Sequence, residues 1–386
     1  LEAGTSRDEP YKTRIIGQDN QANTDTLKLD WWVKKDRGSW LSIGELLSPR
    51  SEHGYVAVDS FFYMIGGLPN GSVQQFDPKS GYWEDKTAPP ISLHHIQPVA
   101  IDKKIYIVAG WSGSYEDPEP LTNVLIYDTQ MNTWTVGYEI PQERQRASAG
   151  VVSVDGIIYV LGGLKPNADQ GQPIDKFDRY DPVTNTWNTL VQLPEKRSHF
   201  QAATDGTMIY IAGGRAPVVG ESFQNTLISA ISSYNIVSNS WTPDLAILPT
   251  PRSGNTTSLI DQQLYIAGGD AGNTLSENTT EVLDLETLEW TNGTDMDPGV
   301  HGTKAVTYKN KIYVTGGSPN TGFDPKPLTQ QVFTPSIVNL LPPELTDQPE
   351  DQFVKVNQSF SFSYPAELFI SQNPEREHLN ISSSLW

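Results

Sequence analysis

The chain has 386 residues, an acidic excess that gives a net charge of −19, and no cysteine. The lack of cysteine excludes disulfide bonds, thiolate catalysis and cysteine-ligated metals. No cluster of Lys and Arg is present to neutralise phosphates, so nucleic acid and anionic membrane are poor partners. No apolar run approaches the roughly 18 residues of a membrane span, so no membrane insertion is expected within this chain.

Residues 1–38 precede the first copy of a repeated pattern and are treated as an N-terminal arm. Residues 1–23 are polar and lack clear periodicity, whereas the stretch 27–29 alternates in polarity as a strand does. It leads into Trp31 and Trp32, two aromatic residues that are rarely left in water. The arm is therefore expected to cover an edge of the protein or to contact a partner.

From residue 39 onward a unit repeats six times. Each copy has a Tyr-containing apolar run that ends in a glycine pair or its equivalent, and the second glycines are 43 to 55 residues apart. The pairs are Gly66-Gly67, Ala109-Gly110, Gly162-Gly163, Gly213-Gly214, Gly268-Gly269 and Gly316-Gly317. In five copies, an aromatic or apolar residue followed by Asp or Asn stands seven residues before a Trp. These tryptophans are Trp83, Trp134, Trp187, Trp241 and Trp290.

A double glycine with a spaced Trp resembles the kelch motif of β-propellers. The resemblance implies an all-β fold, a six-bladed propeller over residues 39–340, with a four-stranded sheet for each repeat. Because one such sheet cannot bury both of its faces, the sheets are expected to stack on one another with the Trp between them. Glycine suits positions at which the backbone bends sharply or strands crowd together.

The last copy lacks its Trp, because none follows Gly317 before Trp386. Conversely, Trp40 has no glycine pair before it. We predict that residues 39–43 supply the outer strand of the last blade, beside residues 331–333, so that an N-terminal strand closes the ring. The alternative is Leu340, seven residues after Phe333, which would replace the Trp from the C-terminal side.

Residues 341–386 are predicted to form a linker and a short β segment. The stretches 353–356 and 360–364 are predicted strands, the latter with a period of two. They resemble the opening of a cadherin-like or immunoglobulin-like sandwich, which needs about 100 residues. One hypothesis is that these strands, or the arm, pack on a neighbouring copy and give a homo-oligomer or filament through the termini. The alternative is that both ends fold back on their own propeller.

The segment that enters each innermost strand carries the candidate binding residues. Resemblance to kelch propellers implies Arg or His at this position, near one mouth of the central channel. In the fourth repeat Lys196 is assigned to it, with Arg197 adjacent. The predicted ligand-binding residues are Arg50, Arg146, Arg252, Arg197, His53 and His199. Arginines around an axis could bind carboxylates or sulfates bidentately, as in an acidic glycan or peptide. The alternative is that each Arg pairs with a nearby acidic residue or bonds loop carbonyls.

The enzyme hypotheses find no matching motif. A galactose-oxidase-type copper site uses a Tyr–Cys crosslink, and similarity to sialic-acid mutarotase propellers extends only to the six-bladed ring and polar channel residues. A metal site from His94, His95 and His199 is disfavoured, because adjacent residues of a strand point to opposite faces. We therefore predict a non-catalytic binding module without a cofactor, for a protein or acidic glycan. The alternative is a carbohydrate-active enzyme with its site at the channel mouth.

Six Asn-x-Ser/Thr sequons suggest the compartment. They begin at Asn70, Asn278, Asn292, Asn357, Asn380 and Asn255. Three of them, at Asn70, Asn278 and Asn292, fall in predicted loops or turns, whereas Asn255 begins an inner strand and is the least favourable. The sequons predict a secreted or cell-surface glycoprotein.

Overall fold

The computed structural model describes residues 11–18, 24–31, 37–69, 71–166, 172–216, 222, 224–320 and 329–335. The chain divides into two compact units, one of residues 1–36 and 337–386 and the other of residues 37–336.

In the first unit, strands β1 (Tyr11–Gln18) and β2 (Thr24–Trp31) form an antiparallel hairpin. The alternating stretch 27–29 lies in β2, as predicted. Strand β1 was not predicted, because its residues show no clear alternation in polarity. The predicted C-terminal strands, 353–356 and 360–364, lie outside the described residues.

The second unit is a ring of six four-stranded antiparallel blades. Blade 1 contains β4 (Gly54–Val58), β5 (Phe61–Ile65), β6 (Val73–Asp77) and β7 (Tyr82–Lys86). Blade 2 contains β8 (Val99–Ile101), β9 (Lys104–Ile107), β12 (Asn123–Asp128) and β13 (Thr133–Glu139). Blade 3 contains β14 (Gly150–Val154), β15 (Ile157–Leu161), β18 (Phe177–Asp181) and β19 (Thr186–Thr189).

Blade 4 contains β20 (Ala202–Thr204), β21 (Met208–Ile211), β22 (Ala230–Asn235) and β23 (Ser240–Ile247). Blade 5 contains β24 (Thr256–Ile260), β25 (Gln263–Ala267), β26 (Thr280–Asp284) and β27 (Trp290–Asn292). Blade 6 contains β28 (Ala305–Tyr308), β29 (Lys311–Thr315), β30 (Thr329–Thr334) and β3 (Ser39–Glu45), the last contributed from before blade 1. The innermost strand of each blade contacts those of both neighbouring blades, which closes the circle.

Two hairpins extend blades 2 and 3 beyond their glycine pairs. They are β10 (Trp111–Gly113) with β11 (Pro118–Pro120), and β16 (Leu164–Lys165) with β17 (Gln172–Pro173). Two 3₁₀ turns, Gln142–Arg144 and Gln224–Thr226, complete the regular elements, and no α-helix occurs in the described part of the chain.

The predicted closure by an N-terminal strand is confirmed. Strand β3 pairs with β30, with Trp40 directly opposite Phe333 and their ring centroids 5.1 Å apart. The indole N–H of Trp40 donates to Thr280 Oγ1 of blade 5 at 2.9 Å. The same kind of contact joins other blades, since Trp134 Nε1 donates to the carbonyl of Thr87 in the preceding blade at 2.9 Å. These tryptophans therefore link adjacent blades, as the repeat pattern predicted.

Local chemistry explains the strands and turns. In β5, the four residues after Phe61 are buried because the blade is covered on both faces. The turn before β15 places Asp155 and Gly156 at φ 50° and 78°. Two successive positive φ values define the tight hairpin turn that Asp-Gly favours.

Candidate functional site

Six residues, one from each blade, surround the propeller axis and form what we name the axial ring. They are Glu52, His95, Ser148, His199, Gly254 and Gly302. Each backbone N–H donates to the carbonyl of the ring residue in the preceding blade, and the last bond joins Glu52 to Gly302. The six N···O distances run from 2.5 to 3.1 Å. The ring is therefore a closed circle of main-chain hydrogen bonds that joins every blade to the next.

All six ring residues adopt the left-handed backbone conformation, with φ between 52° and 66°. For a residue other than glycine this conformation costs about 1–2 kcal/mol. Four of the six are not glycine, so the hydrogen-bonded circle holds these residues in a conformation that they would not adopt alone.

Glutamine side chains cross the channel next to the axial ring. Gln97 Oε1 accepts from the N–H groups of Val151 and Ala202 at 3.1 and 3.2 Å, and its Nε2 donates to the carbonyl of Ala202 at 3.0 Å. Gln201 repeats the arrangement with Ala305, accepting at 2.8 Å and donating at 2.9 Å. Each glutamine thus satisfies backbone groups of innermost strands, and together they obstruct the channel.

A cavity of about 10 Å³ remains at the axial ring. Its lining residues are Glu52, His95, Ser148, Ala149, His199, Gly254, Gly302 and Lys304. A space of this size holds about one water molecule. The axis therefore has no room for a small-molecule substrate at this level.

Ionisable side chains line this cavity. His95 Nε2 lies 3.4 Å from Glu52 Oε2. Burial alone would raise the pKa of Glu52, but the positive field of His95, His301, Lys304 and Arg215 outweighs it and lowers that pKa. Burial lowers the pKa of Lys304, although Glu52 opposes this effect. Glu52 is therefore a carboxylate held among positive groups.

His199 is a neutral imidazole with an assignable tautomer. A guanidinium only donates, so His199 Nε2 accepts from Arg215 Nη2 at 3.3 Å. Its Nδ1 then carries the proton and donates to Ser198 Oγ at 3.0 Å. Burial, followed by the nearby charge of Arg215, places the pKa of His199 well below 6.5.

The two adjacent histidines do not diverge as predicted. Their Nδ1 atoms are 2.7 Å apart, because His95 has φ 55° and leaves the strand geometry on which the prediction rested. Burial lowers the pKa of His94 to about 4, so His94 is neutral, and one of the two Nδ1 atoms donates to the other. Among the described residues, no group of three or more His, Asp or Glu side chains could hold a metal ion.

The predicted ligand-binding arginines do not reach the channel mouth, and this prediction is corrected. Arg50, Arg146, Arg197 and Arg252 are all at most 1% exposed. Arg50 donates to the carbonyls of Gly66 and Ser72 at 3.1 and 2.6 Å. Arg197 and Arg252 make the equivalent bond to the first glycine of the pair in their own blades. These side chains tie the second strand of a blade to its third strand.

Three of the arginines also pair with acidic residues, which is the alternative that the sequence left open. Arg146 Nη1 lies 2.8 Å from Asp178, which is fully buried and also bonds Arg144. Arg252 lies 2.8 Å from Glu281, and Arg197 pairs with Glu195. A buried guanidinium that is paired in this way is not available to a ligand.

Two assignments near these arginines also change. The equivalent position in blade 4 is Arg197 and not Lys196, since Ser198 pairs with Arg215 as Ser51 pairs with Leu68. His53 is 1% exposed and its Nε2 lies 3.3 Å from Thr303 Oγ1, so it faces the protein interior. His199, by contrast, lines the axial cavity. Spacing could have indicated Glu52 and His95, which sit at the same offset as His199.

The sequons differ in accessibility. Asn278 and Asn292 are exposed, although Asn292 ends strand β27 instead of lying in a loop. Asn255 is fully buried, and its Nδ2 donates to Thr257 Oγ1 at 3.2 Å, so the folded protein cannot be modified there and that prediction is corrected. Asn70, Asn357 and Asn380 lie outside the described residues.

Six blades, closed by an outer strand at the rim and by a main-chain circle at the axis, define a β-propeller of the kelch class. Residues 19–277 match the family described as the Attractin/LZTR1 beta-propeller, and the chain belongs to that family. No helix in the described part of the chain is long and apolar enough to cross a membrane.

Similar proteins carry kelch names. Kelch-like protein terF of Aspergillus terreus is 30% identical over 298 residues, which cover 73% of this chain and 64% of that protein. Kelch-like protein 23 of Homo sapiens is 26% identical over 259 residues, or 66% of this chain and 43% of that protein. The chain thus spans less than two thirds of these relatives. The solved structure titled "Structure of YjhT" superposes with a TM-score of 0.65 at 15% identity, covering 77% of this chain and 98% of that one, and shows the fold alone.

Proposed function

We propose that this chain is a non-catalytic binding module, secreted or displayed at the cell surface, that binds a protein or an acidic glycan. The binding surface in this proposal is the ring face, meaning the side of the propeller that carries the axial ring and the hairpins β10–β11 and β16–β17. The observation that carries the proposal is the obstructed axis. With about 10 Å³ at the ring and two glutamines across the channel, recognition has to occur on the face and not inside it.

The ring face offers suitable anchors. Tyr115, in the loop between β10 and β11, is 58% exposed, and its ring centroid lies 6.5 Å from that of His95. Arg215 is half-buried beside His199. Tyrosine and arginine on a rigid support are the residues that most often dominate binding energy at interfaces. A positive Arg215 and Lys304 against one Glu52 favour an acidic group on the partner.

The alternative function is a carbohydrate-active enzyme, and one arrangement favours it. Glu52, His95 and Lys304 bring a carboxylate, an imidazole and an ammonium to one cavity, as acid–base catalysis requires. A sugar ring is far larger than the water-sized space between these groups. The binding function is therefore the better supported of the two.

Affinity capture with matched variants tests the ring face. The purified chain would be crosslinked in extracellular fluid of the native source and on an array of acidic glycans, beside Tyr115→Ala and a control, Val183→Ala with Val237→Ala. The control residues are 89% and 87% exposed in turns on the opposite side of the propeller. We expect one partner to be lost with Tyr115→Ala only. Equal capture by all three proteins would contradict the proposal.

Secretion has its own test. Protein from the native source should carry N-linked sugars at Asn278 and Asn292, visible by mass spectrometry as deamidation after glycosidase treatment. The buried Asn255 is the internal control and should remain unmodified. Unmodified peptides at both exposed positions would contradict passage through the secretory pathway.

Self-association through the termini is the remaining part of the proposal. Sedimentation of the full chain beside a version that ends at Pro342 tests it. The full chain should sediment as an oligomer at micromolar concentration and the shortened one as a monomer. Two monomeric species would contradict self-association.

A further inference from the structure

A groove of about 290 Å³ opens between blades 3 and 4. Its lining residues are Tyr159, Arg179, Asn188 and Leu190 from blade 3, and Tyr234, Ile236 and Asn239 from the end of β22 and the turn after it. None of them belongs to the axial ring or to its cavity.

The sheet register explains why this groove is polar. Tyr159 in β15 is opposite Arg179 in β18, and Arg179 is opposite Asn188 in β19. The three residues therefore project from the same face of blade 3. In blades 5 and 6 the position equivalent to Arg179 holds Val282 and Val332, which are both buried. Blade 3 thus places an exposed arginine where blades 5 and 6 bury a valine.

Arg179 is exposed and lines this groove. Within the described residues, no carboxylate lies within 4 Å of its guanidinium. Burial raises the pKa of Tyr159, and it raises the pKa of Tyr234 to about 12. The charge of Arg179 opposes the rise at both hydroxyl groups, which means that the guanidinium lies near both tyrosines.

The other lining groups present donors and apolar surface. Asn239 Oδ1 accepts the hydroxyl of Tyr234 at 2.6 Å, which leaves the N–H groups of this amide as donors. Asn188 is exposed beside Arg179. Leu190 and Ile236 are half-buried and form the apolar part of the wall. A volume of about 290 Å³ is at the lower end of small-molecule sites, which begin at roughly 300 Å³.

We propose that this groove binds a hexuronate, a monosaccharide unit that carries a carboxylate. Arg179 forms paired hydrogen bonds with the carboxylate, as the planar guanidinium fork allows. The amides of Asn188 and Asn239 bond ring hydroxyls, and the carbon face of the sugar packs on Leu190 and Ile236. The groove lies apart from the ring face, so this proposal goes beyond the function proposed above. The two proposals can be tested independently.

Titration of the full chain with sodium glucuronate, followed by calorimetry and by amide NMR shifts, tests this site. Glucose serves as a neutral-sugar control, and sodium sulfate serves as a simple-anion control. We expect millimolar glucuronate binding that weakens roughly tenfold or more in Arg179→Gln, the loss typical of a hydrogen bond to a charged group. Lys79→Gln removes one positive charge from an exposed turn of blade 1 and should bind as the native chain does.

Three outcomes would overturn the assignment. One is no glucuronate binding by the native chain. Another is equal affinity in Arg179→Gln, which would place the sugar elsewhere. The last is sulfate binding as tight as glucuronate binding, which would reduce the groove to a general anion site. Because Tyr115→Ala leaves this groove intact, it should bind glucuronate normally even where it loses the ring-face partner.

Discussion

Two sets of residues, two positions apart in the segment that enters the innermost strand, contribute to the fold in different ways. The buried set, Arg50, Arg146, Arg197 and Arg252, bonds carbonyls and acidic groups inside the blades. The second set, the axial ring, surrounds the axis and joins neighbouring blades through its backbone hydrogen bonds. The difference teaches that the residue with the most obvious binding chemistry stabilises the interior of its blade, whereas the residue two positions later joins the blades around the axis.

The largest expected effect is in the buried set. Arg146→Ala removes one of the two arginines that bond the fully buried Asp178. An incompletely compensated buried carboxylate should lower the free energy of unfolding by about 3 kcal/mol or more. Denaturant unfolding measures this loss. A loss below about 1 kcal/mol would show that Arg144 and Thr189 satisfy Asp178 without Arg146, and the contrast with the ring would fail.

Trp40, in the strand that pairs with β30, shows how much stability a half-buried side chain contributes. Trp40→Ala removes the contact with Phe333 and the hydrogen bond to Thr280. We expect a loss of about 3 kcal/mol, at the lower end of the range for large aromatic residues. Thermal and denaturant unfolding should agree on it. An unchanged midpoint would show that the strand pairing of β3 closes the blade without its Trp.

Acid should lower the stability of the folded protein through the buried His53. Burial, with the charge of Arg50, lowers the pKa of His53 to about 3 from an unfolded value of 6.5. The unfolded chain therefore takes up a proton as pH falls below 6.5, while the folded chain does not. Stability is full above pH 6.5 and falls below it, by about 2 kcal/mol at pH 5 from this group.

The variant His53→Gln checks the assignment. Its free energy of unfolding should fall less than that of the native chain between pH 7 and pH 5, as measured in denaturant at both values. Parallel losses in the two proteins would mean that His53 is protonated in the folded state, or that other groups dominate.

The smallest effects are expected in the ring itself. Gly254→Ala forces a side chain into φ 62°, with its Cβ 3.2 Å from the N atom of Gly302, and should cost about 1–2 kcal/mol. Ser148→Gly removes the energetic cost of the same conformation at φ 52° and should change the free energy of unfolding by less than about 1 kcal/mol. Unfolding of both variants beside Arg146→Ala completes the comparison. A large loss in Ser148→Gly would show that its side chain is structural.

The fold could be predicted because the repeated residues mark the positions that are buried between blades. Glycine pairs and spaced tryptophans recur where blades pack, and the missing Trp of the last copy indicated Trp40. The site was less predictable for a geometric reason. Spacing shows which positions meet around an axis, but not whether a side chain points into its blade or toward the channel. That direction depends on the left-handed turn at His95 and its equivalents, and these residue types do not disclose it.

The groove at Arg179 was missed for a related reason. An arginine in a strand is ordinary, and only the alignment of three strands shows that it stands beside Tyr159 and Asn188. Aligning the third strands of the repeats would have shown a charge where Val282 and Val332 stand in other copies.

The pairing of β3 with β30, which closes the ring at its rim, also fixes the order in which the blades can be completed during synthesis. Blades 1 to 5 are each made from one continuous stretch, but β3 waits unpaired until β30 has left the ribosome, a contact of very long range. When it docks, Trp40 covers Thr280, and Gly38 accepts the hydroxyl of Thr294. These threonines are the third residues of the sequons at Asn278 and Asn292. The closing strand therefore engages a hydroxyl group in each of the two exposed sequons once the propeller has folded.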